Sequence, residues 1–253
     1  MSVAFDQDGG IGRITLEKPP ANSYDLNFMQ EFAGAVRQAT GSDARVVVVR
    51  SASEKFFSAG ADVKRFLEGD VDSNMEMIRT SQGAFARIAA APQVFIAHIA
   101  GHALGGGLEI ALGCDLRIAT AGGYKLGTPE VSLGLLPGNG GTQRLTRMLG
   151  TSRAMDLLLS GKSFSVEQAH EWGLVAEVFD DNARVQAYVE RFAAGPTLAL
   201  RNIKRCVNEG GELPLTDGLA LESRLVEELF RSHDGNEGLT AFVEKRTPTF
   251  TGA

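Results

Sequence analysis

An α/β core followed by a helical C-terminal part is the fold class that this 253-residue sequence predicts. Short β-branched runs alternate with helix-patterned segments through the first half. Glycine-rich turns follow two of those runs, which places them together at one edge of a sheet, where open α/β folds bind ligands. From about residue 140 the pattern changes to helix after helix.

Ile11-Gly12-Arg13-Ile14-Thr15-Leu16 reads as a strand, followed by a Pro19-Pro20 break and a helix over 26–40. Val46-Val47-Val48-Val49 is a continuous β-branched run, as expected of a strand buried on both faces. Phe56-Phe57-Ser58-Ala59-Gly60-Ala61-Asp62 is a first switch from apolar residues to glycine. A long helix over roughly 73–90 ends before Pro92, and Val94-Phe95-Ile96-Ala97-His98-Ile99 is the next buried strand. A second switch, Gly101-His102-Ala103-Leu104-Gly105-Gly106-Gly107-Leu108-Glu109, leads into a short helix carrying 109–112, and 116–120 is another strand. The helices that follow are placed at 142–149, 152–159, 166–172, 183–193, 198–207, 215–230 and 238–245, punctuated by Gly150, Gly161, Gly173, Gly195-Pro196 and Gly210-Gly211. No low-complexity linker divides the chain, and the organisation predicted is a core over 1–195 holding the active site and a helical region over 196–253.

Composition narrows the function. A formal net charge of −6 argues against nucleic acid or an anionic membrane as the main partner. An anionic small ligand would need local cations, for which Lys18, Lys55, Lys64, Arg65 and Lys245 are candidates. Two cysteines without a C-x-x-C give neither a disulfide framework nor a thiolate metal site. No apolar run approaches the ~20 residues that span a bilayer, and the N-terminal residues carry no basic start before an apolar stretch, so a cytoplasmic protein is expected. His98 and His102 lack the helical H-E-x-x-H context, and no metal is expected. G-x-G-x-x-G, the P-loop and G-x-S-x-G are all missing, which argues against dinucleotide, nucleotide and serine-hydrolase chemistry.

Small residues at the two switches leave backbone N–H groups uncovered, and two such groups converging on one point would hold a carbonyl oxygen that becomes negative. The second switch ends in Glu109, and Gly127-Thr128-Pro129-Glu130 supplies another carboxylate. Paired carboxylates can divide acid and base roles when their pKa values are pushed apart or they share a proton.

The string G-x-A-L-G-G-G-x-E resembles the enoyl-CoA hydratase (crotonase) family. Phe57-Ser58-Ala59-Gly60-Ala61-Asp62-Val63-Lys64 resembles that family's first signature, and the stretch from Gly101 to Cys114-Asp115 its second. Gly127-Thr128-Pro129-Glu130 through Gly138-Asn139-Gly140-Gly141-Thr142-Gln143-Arg144-Leu145 resembles the third. Gly173-Leu174-Val175 and Phe242-Val243-Glu244-Lys245-Arg246 fit its helical parts, so the resemblance covers nearly the whole chain.

The resemblance implies a spiral of repeated ββα units with a C-terminal helical region that serves trimerisation and part of the acyl-CoA site. It implies hydration of a trans-2-enoyl-CoA to a 3-hydroxyacyl-CoA, with no cofactor beyond the coenzyme A of the substrate, in a homotrimer or a dimer of trimers. Residue by residue, it makes Glu109 and Glu130 catalytic and the backbone N–H groups of Ala59 and Gly106 the oxyanion hole. Ala59, Gly60, Ala61, Asp62, Gly106, Gly138 and Lys245 would bind substrate. Glu109 is assigned as base toward water and Glu130 as proton donor to C2; the sequence alone admits the reverse division. Related enzymes use the same oxyanion hole for double-bond isomerisation, thioester hydrolysis or decarboxylation, and a non-catalytic acyl-CoA binder is the alternative of another class. The sequence departs from the family pattern at Pro20-Ala21-Asn22-Ser23-Tyr24-Asp25, at an extra residue near Gly122-Gly123, and at His98 and His102, which bears on acyl-chain preference.

Overall fold

The computed structural model describes residues 1–252. The chain runs β1 (Val3–Asp8), β2 (Ile11–Leu16), α1 (Leu26–Thr40), β3 (Val46–Ser51), β4 (Phe56–Ser58), α2 (Val63–Glu68), α3 (Val71–Ala90), β5 (Val94–Ile99), β6 (His102–Leu104), α4 (Gly106–Leu112), β7 (Leu116–Thr120) and β8 (Lys125–Gly127). A 3-10 turn, Pro129–Leu133, leads to α5 (Gly141–Leu149), α6 (Thr151–Ser160), β9 (Phe164–Ser165), α7 (Val166–Glu171), β10 (Glu177–Phe179) and α8 (Asn182–Ala193). The chain ends in α9 (Thr197–Asn208), α10 (Leu215–Arg231) and α11 (His233–Glu244).

Two sheets share the strands. One has the order β1-β2-β3-β5-β7-β10, the other β4-β6-β8-β9. Each of the pairs β3/β4, β5/β6 and β7/β8 gives one strand to each sheet, and parallel pairing joins successive turns. The result is the expected spiral of ββα units. The prediction of helices alone after residue 140 is corrected: β9 returns to the small sheet and β10 closes the large one. The strands β4, β6, β8, β9 and β10 have two or three residues each, too few for alternation to show in a sequence.

The unbroken valine run of β3 has its reason in the packing. Val47 and Val49 enter the larger core with Phe32, Phe85, Phe95 and Ala97, while Val46 and Val48 enter a second core with Ile96, Ile118 and Val185 of α8. Both faces of the sheet are covered, so both residue parities are apolar. No helix among the described residues is long and apolar enough to cross a membrane.

The helical end is tied to the core by a buried ion pair. Lys204 of α9 is 8% exposed, and its Nζ donates to the carbonyls of Ile88 and Gln93 at 2.7 and 2.9 Å and pairs with Asp115 at 2.8 Å. Asp115 in turn accepts the Phe95 N–H at 2.7 Å. Burial raises the Asp115 pKa and lowers that of Lys204, so each charge depends on the other. Replacing Lys204 by methionine strands the Asp115 carboxylate and is expected to destabilise the fold by about 3–5 kcal/mol in urea denaturation. Adding Asp115→Asn to that variant should restore part of the loss.

Candidate active site

Asn22 brings the first loop onto the small sheet. Its side-chain amide donates to Ser51 Oγ at 2.8 Å and to the Phe57 carbonyl at 3.0 Å, and its carbonyl accepts from Ser58 Oγ at 2.8 Å. Tyr24 is thereby laid beside Ala61 as a one-residue parallel bridge. The Gly60 carbonyl accepts from the Tyr24 N–H at 2.9 Å, and the Asp62 N–H donates to the Tyr24 carbonyl at 2.8 Å. Because donors alternate along an extended chain, the Ala61 N–H points the other way, and it has no partner among the described residues.

The two switches meet at Gly60. Its φ is +90°, and a Cβ there would lie 2.7 Å from the Leu104 carbonyl oxygen and 3.3 Å from the Gly106 nitrogen. Only glycine permits that approach. Gly106 opens α4, so its N–H has no intrahelical acceptor, and none is found elsewhere among the described residues. Two free N–H groups therefore come together, those of Ala61 and Gly106.

Ala59 is not one of them. Its N–H donates to the Ala21 carbonyl at 2.9 Å. The chain turns at Gly60, which reverses the phase of the main-chain donors, so the Ala59 N–H faces the loop while the Ala61 N–H is left free next to the Gly60–Gly106 contact. The assignment of the Ala59 N–H to the oxyanion hole is corrected on this ground.

Glu109 sits in the first turn of α4, 1% exposed. Its Oε1 accepts from the N–H groups of Asn139 and Gly141 at 2.8 and 2.7 Å, and Oε2 is buried without a partner among the described residues. Glu130 lies in the first turn of the 3-10 segment. Its Oε1 falls 2.9 Å from where a Gly105 Cβ would lie, next to the start of α4, and its Oε2 is also buried and unpartnered. Burial, with Glu130 adding repulsion, pushes the Glu109 pKa up to about 7 against the opposing pull of the two N–H groups and Arg144. Burial also raises that of Glu130.

The remaining expected residues divide. Gly138 adjoins the loop that grips Glu109; its carbonyl accepts from Gln82 at 2.9 Å and its N–H is unpartnered among the described residues. Asp62 caps α2 by accepting the Lys64 N–H at 3.1 Å. Lys245 caps α11 with φ +56°, exposed and without a hydrogen bond or ion pair to the cluster. Sequence reasoning missed Asn139 and Arg144. Asn139 donates from Nδ2 to Tyr24 Oη at 2.9 Å, and Arg144 holds the Asn139 carbonyl at 3.0 Å. The glycines around Asn139 were the available signal, since a loop that wraps a carboxylate with two N–H groups needs small residues. No group of three or more His, Cys, Asp or Glu among the described residues is placed to hold a metal ion. His98 instead pairs with Thr120 Oγ1 at 2.8 Å, and His102 accepts the Lys125 N–H at 3.0 Å.

Comparison with known proteins places the chain among enoyl-CoA hydratase relatives. The model of the family described as enoyl-CoA hydratase/isomerase matches residues 6–253. A probable enoyl-CoA hydratase of Bacillus subtilis (strain 168) is 38% identical over 100% of this chain and 98% of its own length. A 2,3-dehydroadipyl-CoA hydratase of Escherichia coli (strain K12) is 35% identical over 94% of both. The crystal structure of an enoyl-CoA hydratase from Bacillus anthracis superposes with a TM-score of 0.94, at 34% identity over 100% of both chains.

Glu109 binds its proton more tightly in the folded chain than in the unfolded one. The folded state is therefore favoured at low pH, and that advantage is lost as pH rises from about 4.5 through about 7. Glu109→Gln removes the charge and keeps an acceptor for Asn139 and Gly141. The variant should gain about 2–3 kcal/mol of stability over the parent at pH 8 and little at pH 4.5. Denaturant titrations at the two pH values measure the difference.

Proposed function

The chain belongs to the enoyl-CoA hydratase/isomerase family, and we propose that it adds water reversibly across the double bond of a trans-2-enoyl-CoA. One observation carries this reading: a buried carboxylate, Glu109, and a half-buried one, Glu130, each with a buried and unpartnered Oε2, adjoin two free N–H groups. Free N–H groups alone serve any reaction through an enolate. Paired carboxylates beside them serve one that delivers both a hydroxyl and a proton.

The thioester oxygen accepts from the Ala61 and Gly106 N–H groups, which stabilise the negative charge it acquires. Glu109 has only Oε2 available, so the water approaches there. As the water oxygen bonds to C3, its proton passes to Glu109 and the electron pair of the double bond moves onto the thioester oxygen. Glu130 then protonates C2, the carbonyl re-forms, and a proton transfer from Glu109 to Glu130 restores the pair. Both groups reach the substrate from the carboxylate-lined side, which gives syn addition. The unpartnered Gly138 N–H, next to the Glu109 loop, is the donor this reading assigns to the water.

Water addition balances without an electron donor or acceptor, and coenzyme A arrives with the substrate, so no separate cofactor enters the reading. Gly60, Ala61 and Asp62 line the thioester side of this site. Lys245 takes part only as a contact to coenzyme A phosphate across a subunit boundary. A homotrimer, alone or paired, fits the exposed Phe230, Leu239, Phe242 and Val243 on the last two helices. A cytoplasmic place in acyl-CoA breakdown, such as fatty-acid oxidation, completes the proposal.

Crotonyl-CoA should lose its enoyl absorbance in the presence of the protein, with Glu109→Gln and Glu130→Gln each slowing turnover by about 10²–10⁴-fold. Release of free coenzyme A without loss of the double bond in a hydratable substrate would replace hydration by thioester hydrolysis. The acid limb of kcat/KM should lie near pH 7, because Glu109 must be ionised to accept a proton.

A further inference from the structure

Tyr24 lies within this cluster with no part in the steps above. The residue is 2% exposed, and its backbone runs beside Ala61. A Cβ on residue 106 would lie 1.6 Å from Tyr24 Oη. Since a Cβ stands about 2.5 Å from its own nitrogen, the phenol oxygen is within about 4 Å of the Gly106 nitrogen.

The hydrogen bonding of this oxygen has a direction. The Asn139 amide nitrogen donates to it at 2.9 Å, so the phenol proton is left to be given away. It finds no acceptor among the described residues, not even the unpartnered carboxylate oxygens of Glu109 and Glu130. Burial and the charges of those two carboxylates hold the Tyr24 pKa well above the usual phenol range, so the proton stays on the oxygen. A fixed, neutral donor without an acceptor thus stands beside the Gly106 N–H.

We propose that the Tyr24 hydroxyl is a third donor to the substrate's thioester oxygen, forming a three-point oxyanion site with the N–H groups of Ala61 and Gly106. The assignment rests on the acyl-CoA reading of the site. The thioester oxygen is the acceptor that the Gly106 N–H brings next to the phenol. Donation from Asn139 polarises the O–H bond and strengthens what Tyr24 gives. Glycine at 106 is then required twice, to bare its own N–H and to admit the phenol.

The test uses the full-length chain with a cinnamoyl-CoA carrying a para-dimethylamino group, whose absorption moves to the red when its carbonyl is polarised. Tyr24→Phe keeps the ring and removes the donor. It should bind this ligand with a smaller red shift and hydrate crotonyl-CoA with kcat lower by about 10²-fold and KM little changed. Asn139→Ala keeps the phenol and should retain most of the red shift, which separates donation from mere anchoring of Asn139. Should Tyr24→Phe not fold, 3-fluorotyrosine introduced at position 24 serves instead, since a stronger donor should enlarge the shift. A parental red shift in Tyr24→Phe, or an unchanged one with the fluorinated residue, overturns the proposal while the hydratase reading stands. A parent that neither shifts the ligand nor hydrates crotonyl-CoA overturns both.

Discussion

Two stretches of main chain touch where neither carries a side chain, and the site follows from that contact. Gly60 presses against the Leu104 carbonyl oxygen at a distance that no Cβ tolerates, and closely against the Gly106 nitrogen. Parallel pairing of β4 with β6 brings the two segments alongside, and the turn at Gly60 leaves the next N–H, that of Ala61, free beside the start of α4. Any side chain at residue 60 would wedge the strands apart and separate the two donors. The Asn22 network serves the same contact from the other side, since it holds the loop that dictates which N–H groups of the first switch are already engaged.

Burial of charge is the second constraint. Glu109 lies almost fully out of water, where an isolated carboxylate would lose far more hydration than one hydrogen bond returns. Two main-chain N–H groups converge on one of its oxygens, and Arg144 fixes the loop that supplies them. This support is one-sided. Oε1 is satisfied and held; Oε2 is left bare, as is Oε2 of Glu130. The fold thus fixes the orientation of Glu109 through Oε1 and leaves Oε2 of both carboxylates open to bonds from water or substrate.

How much of this was legible depends on the length scale of each signal. The β3 valines announced a sheet covered on both faces, because four successive apolar β-branched residues have few other uses. The small sheet was not legible, since its strands are shorter than one full alternation. Glu109, Glu130 and Gly106 were legible from the motif and lie together in the structure. The choice between Ala59 and Ala61 was not: both are small, both flank Gly60, and only the hydrogen-bond phase across the Ala21–Tyr24 loop separates them. Tyr24 was hidden for a related reason. It stands 85 residues from Glu109 in the chain, and nothing local distinguishes a buried phenol in an active site from one in a core.

The arrangement also limits the number of protons the site can hold. Two carboxylates that repel each other in a buried space favour a state with one proton between them. That is the stoichiometry the proposed hydration needs, because in it one carboxylate accepts while the other gives. Were the site as polar as the surface, both would ionise at neutral pH and the C2 proton would have no source. Were it drier, both would stay protonated and water would have no base. The amide pair on Glu109 offsets part of the cost of its burial. Tyr24 does not disturb the count, because burial beside the same carboxylates fixes its proton in place. The proposed hydration therefore separates two jobs that a phenolate or a third acid would confuse: one proton moves between the carboxylates, while the Tyr24 hydroxyl keeps its own and only points.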